Sequence, residues 1–173
     1  MFKHIPTQLE STRLMIHRLK EIDLKDVYAL HKIEVVNQYL PYTTWTSYQD
    51  AQDWFERVQL RRSQGDAEQF AIKLKTDQTF IGSCIVFGFD PEVASAEFGY
   101  VLHPDHWGHG YMLEAMQMFI STLQERLNLR VLKASVEEPN VASSGLLKKL
   151  EFALTDTSVE ESGVRLQHWV KVF

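Results

Sequence analysis

The spacing of hydrophobic residues along the chain predicts both strands and helices. Phe70, Ile72 and Leu74 alternate with small or charged residues, a period of two that indicates a strand. The stretch 80–88 is apolar on both faces, which is typical of a central strand covered on both sides. The longest helical pattern keeps one apolar face over about four turns, through Met112, Ala115, Met116, Phe119, Ile120, Leu123 and Leu127.

Taken in chain order, these patterns predict an α+β fold. We expect strands over 13–18, 70–75, 80–88, 96–102, 131–136, 152–159 and 164–173, with helices over 22–33, 47–62, 111–127 and 141–150. The strand–helix–strand crossover over 96–136 requires two neighbouring parallel strands in an otherwise antiparallel sheet. Since no repeat or linker interrupts the chain, residues 1–173 are expected to form one domain with a mixed, mostly antiparallel central sheet.

Composition and charge narrow the class of protein. Of 173 residues, 45% are hydrophobic and 24% are charged, which excludes a disordered chain. The 18 basic and 23 acidic residues give a net charge of −5, so we expect no nucleic-acid partner. No apolar run approaches the roughly 20 residues of a membrane span, and no signal region begins the chain. We therefore expect a cytoplasmic protein with no membrane partner.

Two glycines mark the most informative segment. Gly108 and Gly110 flank His109 where a predicted strand passes into a predicted helix. Glycine allows close backbone approach, and a helix start offers unpaired N–H groups, so the segment suits a phosphate group. The dinucleotide fingerprint would need a third glycine where Leu113 stands, and no Gly-Lys-Ser/Thr follows. A turn followed by a helix cap explains the same glycines equally well.

Histidine and cysteine residues do not predict a metal site. His103, His106 and His109 are spaced by three, but Pro104 and Gly108 break any helix through them. The single cysteine of the chain excludes an internal disulfide and a multi-cysteine metal site. We expect that cysteine, on the strand over 80–88, to be a buried thiol.

Several segments together resemble a known family. AEFGYVL, WGHGYMLEA, a strand and then N-x-x-S and K-x-x-F follow one another in the order and spacing typical of the GNAT superfamily of N-acetyltransferases. The chain is similar in particular to the branch of ribosomal-protein N-terminal acetyltransferases (RimJ/RimL-like). TRLMIHRL resembles the first strand of that branch, NQYLPYTTWTSYQDAQDWF its acceptor-side loop and second helix, and FAIKLKTDQTFIGSCIVF its hairpin. The resemblance covers nearly the whole chain and implies a three-layer α/β/α fold.

The resemblance implies acetyl-CoA as the acetyl donor, with no metal. It assigns the pyrophosphate to backbone N–H groups of Trp107, Gly108, His109, Gly110, Tyr111 and Met112, although Met112 replaces a small residue of the family. It places the pantetheine arm along Tyr100, Val101 and Leu102, and Asn140 matches the asparagine that bonds to this arm. Asn140 is also a good helix N-cap, and the two roles compete for its side-chain oxygen.

Direct transfer to an amine needs a group that takes a proton from the amine and an acid for the thiolate. Glu97, in the middle of an apolar strand, is the candidate base; a solvated or salt-bridged glutamate is the alternative. Many relatives use a tyrosine as the acid where Leu147 stands here. Ser143 matches the serine of the RimL-like branch, and the alternative for Ser143 is an ordinary first-turn serine. Glu151 replaces a glycine and must adopt a helix-exit conformation.

The resemblance implies that an aromatic loop faces the acceptor. The candidate acceptor-binding residues are Glu34, Tyr39, Tyr42 and Trp45, although such aromatic residues more often pack. We expect acetylation of a primary amine, most of all the N-terminal α-amino group of a protein or peptide. The alternatives are a small amine or amino acid, a catalytically weak CoA-binding sensor, or an interaction module on the same fold. The enzyme is expected to be a monomer or a homodimer.

Overall fold

The computed structural model describes residues 2–173, and eight of its strands form one sheet in the order β1-β2-β3-β4-β5-β6-β8-β7. The strands are β1 (Gln8–Glu10), β2 (Leu14–Arg18), β3 (Ala67–Leu74), β4 (Phe80–Asp90), β5 (Ser95–Leu102), β6 (Val131–Glu137), β7 (Ala153–Val159) and β8 (Arg165–Val172). The α-helices are α1 (Leu24–His31), α2 (Glu34–Asn37), α3 (Tyr48–Gln64), α4 (Tyr111–Leu127) and α5 (Val141–Lys149).

The predicted crossover is confirmed. Strands β5 and β6 are parallel, and each of the other neighbouring pairs is antiparallel. The parallel pairing covers three residue pairs and ends where Glu97 lies opposite Lys133. Beyond that point β5 continues beside β4 alone, and β6 continues beside β8. The sheet therefore opens between β5 and β6.

Helices pack on both faces of the sheet. Phe70 and Ile72 of β3 pack in the core that contains α4, whereas Ala71 packs in the core of α1–α3. Because successive strand residues point to opposite faces, α4 and α5 cover one face and α1–α3 cover the other. This arrangement confirms the three-layer α/β/α fold.

Short-range signals set the helix ends. The carboxylate of Asp50 accepts hydrogen bonds from the amides of Thr46 and Ser47 at 2.9 and 2.8 Å, which fixes the start of α3. Helix α3 ends at Gly65, whose φ of 78° is the left-handed conformation that glycine adopts readily. Helix α5 ends with Glu151 at φ 65°, so the predicted helix-exit conformation of this glutamate is confirmed. Its carboxylate lies 2.9 Å from Lys171.

Two short elements were not predicted from the sequence patterns. Strand β1 has three residues and helix α2 has four, too few for a hydrophobic period to be visible. The predicted helix over 22–33 is shorter in the structure, because Glu21–Asp23 form a 3₁₀ turn and α1 ends at His31. Within residues 2–173, no helix combines the length and the apolar character needed to cross a bilayer.

Candidate active site

The loop before α4 presents a row of unpaired backbone N–H groups. Gly108 and Gly110 both have φ of 75°. Within residues 2–173, the N–H groups from Gly108 to Met112 donate to no protein acceptor, whereas the N–H of Trp107 donates to Pro104 O at 3.0 Å. Such a row at a helix start binds anions, because the N–H dipoles and the helix dipole point the same way. The row of unpaired groups therefore begins at Gly108, one residue after the start of the predicted cradle at Trp107.

Side chains around this loop point away from it or along its edge. Met112 is only 7% exposed and packs in the α4 core, so its bulk does not fill the place where a phosphate would lie. His109 stacks on Tyr111, with ring centroids 5.7 Å apart. Trp107 is 48% exposed, and its indole N–H donates to Leu102 O at 2.9 Å. The carbonyl of Leu102 is thus already bonded, while Tyr100 and Val101 line the opening before it.

The side chain of Asn140 uses its oxygen and its nitrogen differently. Its Oδ1 accepts a hydrogen bond from the Ser143 amide at 3.1 Å, so the asparagine is the N-cap of α5. Its Nδ2 donates to no group within residues 2–173. Since the cap uses the oxygen, both amide protons remain available for an acceptor in the opening. The competition between the cap and the pantetheine arm that the sequence suggested applies to the side-chain oxygen and not to Nδ2.

A pair of hydroxyl groups lies at the start of α5. Ser143 Oγ donates to the Tyr100 hydroxyl at 2.9 Å, and that hydroxyl in turn lies 3.4 Å from Ser143 O. Burial raises the pKa of Tyr100 to about 12, although the hydrogen bond to Ser143 acts in the opposite direction. Tyr100 therefore stays protonated near neutral pH. Sequence reasoning gave Tyr100 only a backbone role, since nothing in the linear pattern pairs residues 43 positions apart.

Glu97 lies on the other face of β5, where the parallel pairing ends. Val101, two alternations further along β5, packs against the core of α1–α3, so Glu97 faces the acceptor side predicted from the sequence. Its side chain is half-buried and forms no hydrogen bond or ion pair within residues 2–173, even though Lys133 is its neighbour on β6. Glu97 is thus an unpaired carboxylate, within residues 2–173, beside the opening, and its role as the base stays a prediction.

Most aromatic side chains of the predicted acceptor loop are packed against other side chains. Trp45 is 7% exposed, and His31 lies beneath it with ring centroids 4.6 Å apart. Tyr42 contacts the same imidazole, and burial raises the pKa of its phenol. Tyr39 instead donates to Pro139 O at 3.4 Å, across the mouth of the opening, and Glu34 is exposed at the start of α2. That these four residues contact the acceptor stays a prediction.

Two further expectations concern Cys84 and metals. Cys84 is fully buried and burial raises the pKa of its thiol, so the prediction of a buried strand thiol is confirmed. Within the described chain, residues 2–173, no three His, Cys, Asp or Glu side chains are grouped so that they could hold a metal ion.

The comparison with known proteins bears directly on this arrangement. Residues 13–153 match the family model described as an acetyltransferase (GNAT) domain. The chain belongs to the GNAT acetyltransferase family. An uncharacterized N-acetyltransferase, p20, of Bacillus licheniformis is 33% identical to this GNAT protein over 137 residues, which are 78% of this chain and 77% of that one.

Solved structures agree with the fold. A ribosomal L7/L12 α-N-protein acetyltransferase, RimL, in complex with coenzyme A has a TM-score of 0.85 at 19% identity, covering 98% of this chain and 97% of that one. A spermidine N-acetyltransferase from Vibrio cholerae in complex with CoA and spermine has a TM-score of 0.82 at 17% identity, covering 94% and 96%. This GNAT protein is thus an enzyme that transfers acetyl from acetyl-CoA to an amine. Its unpaired N–H row fits the diphosphate of that coenzyme.

Proposed function

We propose that this enzyme acetylates the N-terminal α-amino group of a protein or peptide in the cytoplasm. The observation that carries the proposal is an exposed strip of sheet beside Glu97, formed by Lys133 and Ser135 of β6 and the half-buried His168 of β8. Leu132, Ala134 and Val136, on the other face of β6, are buried. No helix of the described residues covers the strip, so a chain that follows the reacting amine has room to extend along it.

Polar groups along the strip suit a peptide. His168 lies between two hydroxyl groups, with Ser158 Oγ at 2.7 Å from Nε2 and Ser135 Oγ at 3.3 Å from Nδ1. These groups can donate to and accept from the amides of a bound backbone. With a small amine, the exposed sides of these groups would contact only water. A general similarity to the RimL enzyme, which acts on a ribosomal protein, supports the same substrate class.

The residues at the opening perform different parts of the reaction from the two faces of β5. The coenzyme supplies a thioester, whose carbonyl carbon the neutral amine attacks. Glu97 takes the proton that the amine must lose, directly or through a water molecule. The Nδ2 group of Asn140 holds the pantetheine arm, and the Ser143–Tyr100 hydroxyl pair donates a hydrogen bond to the sulfur as it leaves. Tyr100 thereby occupies the role that Leu147 cannot perform.

A small polyamine or amino acid is the second candidate. The similarity to spermidine N-acetyltransferase is nearly as high as that to RimL, and the exposed carboxylate of Glu34 would attract a cationic amine. A catalytically weak CoA sensor is less favoured, because the unpaired Glu97 and the Ser143–Tyr100 pair together supply both proton-transfer groups. An interaction module would use neither Glu97 nor the Ser143–Tyr100 pair.

An acceptor screen tests the proposal. The enzyme is incubated with acetyl-CoA and lysine-free peptides, spermidine, spermine and free amino acids, and thiol release and product mass are measured. We expect peptides with a free N-terminus to react and the same peptides with a blocked N-terminus to be inert. Reaction of small amines alone would support the second candidate. No turnover, with CoA still raising the unfolding temperature, would indicate the sensor, and the absence of both would leave the interaction module.

A further inference from the structure

We propose that Arg13 is a positioning residue that orients the peptide planes of the N–H row before α4. The proposal rests on the proposed function, because it concerns the loop that holds the acetyl donor. Arg13 lies in the turn between β1 and β2, almost a hundred residues before the loop in sequence. The strand-like pattern around it shows nothing of this contact.

Arg13 is anchored to helix α4 through Glu114. The Nε of Arg13 lies 2.6 Å from one carboxylate oxygen, and the Arg13 backbone N–H donates to the other at 2.8 Å. Ser11 Oγ donates to that second oxygen at 2.7 Å. Burial raises the pKa of Glu114, but the hydrogen bonds from Arg13 and Ser11 outweigh it and leave the pKa below its ordinary value. The carboxylate is therefore ionised and fully engaged, and it fixes the guanidinium in one orientation.

The anchored guanidinium contacts the loop at two places. Its Nη1 donates to His109 O at 3.1 Å, and its central carbon lies 4.4 Å from the centre of the Tyr111 ring. Its Nη2 is 3.7 Å from the position that a Cβ atom on Gly110 would occupy. These contacts surround the peptide unit that joins His109 to Gly110.

The geometry of a peptide unit gives these contacts a consequence. The carbonyl of His109 and the N–H of Gly110 belong to the same plane and point in opposite directions. When Nη1 binds the carbonyl, the N–H of Gly110 is held on the far side, in line with its unpaired neighbours. Gly110 would otherwise allow this plane to rotate, since glycine adopts both signs of φ at similar cost. Arg13 thus fixes the orientation of a peptide plane that the glycine-rich loop would otherwise leave free to rotate.

A merely structural role for Arg13 is the alternative, since the same contacts tie the β1–β2 hairpin to α4. The chain offers a matched control in Lys75, which also holds that hairpin. Lys75 Nζ lies 3.1 Å from Glu10 Oε2 and 3.3 Å from Ser11 O, at a comparable exposure to Arg13. Lys75→Ala removes a hairpin contact without touching the loop.

The experiment compares donors that do and do not carry a diphosphate. Binding of CoA and of dephospho-CoA is measured by calorimetry, and kcat/KM is measured with acetyl-CoA and with acetyl-pantetheine. We expect Arg13→Ala to weaken both coenzymes by the same factor, about ten- to fiftyfold, because a hydrogen bond to a charged group is lost together with the order of the loop. Acetyl-pantetheine should change by less than about twofold, since it makes no use of the N–H row.

Two further variants separate positioning from direct contact with phosphate. Glu114→Gln keeps the charge of Arg13 but weakens its anchor, so positioning requires weaker CoA binding, whereas a direct phosphate ligand would bind as well as before. Arg13→Lys should recover only part of the affinity, because an ammonium cannot bind Glu114 and the His109 carbonyl in the same fork. If thermal unfolding shows that Arg13→Ala does not fold, Glu114→Gln and Arg13→Lys are used for the test instead.

The outcomes distinguish this inference from the function on which it rests. Failure of the unaltered enzyme to bind CoA would overturn the proposed function. Normal CoA binding by Arg13→Ala or Glu114→Gln, an equal loss with acetyl-pantetheine, or an equal loss in Lys75→Ala would overturn the positioning role while leaving the function intact.

Discussion

The donor side and the acceptor side of this sheet differ in what their side chains and backbone leave unpaired. On the donor side, the N–H groups from Gly108 to Met112 have no protein partner within residues 2–173, and the side chain of Met112 packs in the core that contains α4. On the acceptor side, the aromatic residues of the predicted loop pack around a buried histidine. The predicted donor loop is therefore marked by backbone groups without protein partners within residues 2–173, whereas Tyr42 and Trp45 of the predicted acceptor loop are packed against other side chains.

The predictions of the two sites rest on different kinds of signal in the sequence. A diphosphate is recognised by main-chain geometry, and main-chain geometry leaves a trace in the sequence as glycines at a helix start. An acceptor is recognised by side chains on loops, where packing and recognition use the same residue types. Variants on the two sides should therefore differ in their effects on stability, catalytic rate and CoA affinity.

The largest expected effect is the loss of stability in Trp45→Ala. The buried indole fills the α1–α3 core, so we expect the free energy of unfolding to fall by about 3–5 kcal/mol. Chemical denaturation measures this value. The matched control is Trp107→Ala on the donor side, whose half-exposed indole should cost less than about 1 kcal/mol of stability. If Trp107→Ala is as destabilising as Trp45→Ala, the contrast between a packed side and an open side is wrong.

Glu97→Gln should have the next largest effect, on rate alone. Without a carboxylate to take the proton, kcat should fall by about a hundredfold, while the Kd for CoA stays the same. The loss should shrink as the pH rises, because more of the amine is then already neutral. Steady-state kinetics across pH measure it, with Glu92→Gln in the β4–β5 turn as the control. A kcat equal to that of the unaltered enzyme would show that Glu97 is not the base.

Gly110→Ala should weaken CoA binding by about tenfold. A Cβ atom at the observed φ of 75° costs about 1–2 kcal/mol, and the loop can relieve this strain only by turning an N–H group away from the row. Calorimetry gives the affinity. Gly145→Ala in α5 is the control, since no atom lies within 4 Å of its added methyl group. Unchanged CoA affinity in Gly110→Ala would indicate that the loop needs no left-handed residue there.

The smallest effect is a pH dependence of stability on the acceptor side. Burial lowers the pKa of His31 in the folded state, despite a hydrogen bond to Asn37 that acts in the opposite direction. The unfolded chain therefore binds a proton first, so this contribution is complete above the unfolded pKa of 6.5 and is lost as the pH falls below it. The slope should be at most about 1.4 kcal/mol per pH unit.

Replacing the imidazole tests this sign. His31→Gln should reduce the difference in unfolding free energy between about pH 7.5 and about pH 5.5, because the glutamine does not titrate. Tyr42→Phe removes a neighbouring hydroxyl and should leave the slope unchanged. A steeper fall of stability in His31→Gln would contradict the neutral, buried state of His31.

Specific residues show how far sequence reasoning reached. The crossover, the hairpin and the long helix α4 were predicted because each carries a hydrophobic period over many residues. The unpaired loop and the Asn140 cap were predicted because glycine and asparagine have strong local preferences. Strand β1 and helix α2 were not, since three or four residues carry no period. The Ser143–Tyr100 pair and the contacts of Arg13 were also missed, because they join distant segments.

The amino-acid sequence by itself determined the family, the α+β class and the position of the glycine-containing loop before α4. These depend on local preferences and on patterns that repeat along the chain. Only the tertiary structure decided that Glu97 has no partner within residues 2–173, that Trp45 packs against His31 and that Arg13 binds the carbonyl of His109. Each of these depends on which segments the folded sheet and its helices bring together, and no pattern of neighbours in sequence encodes that.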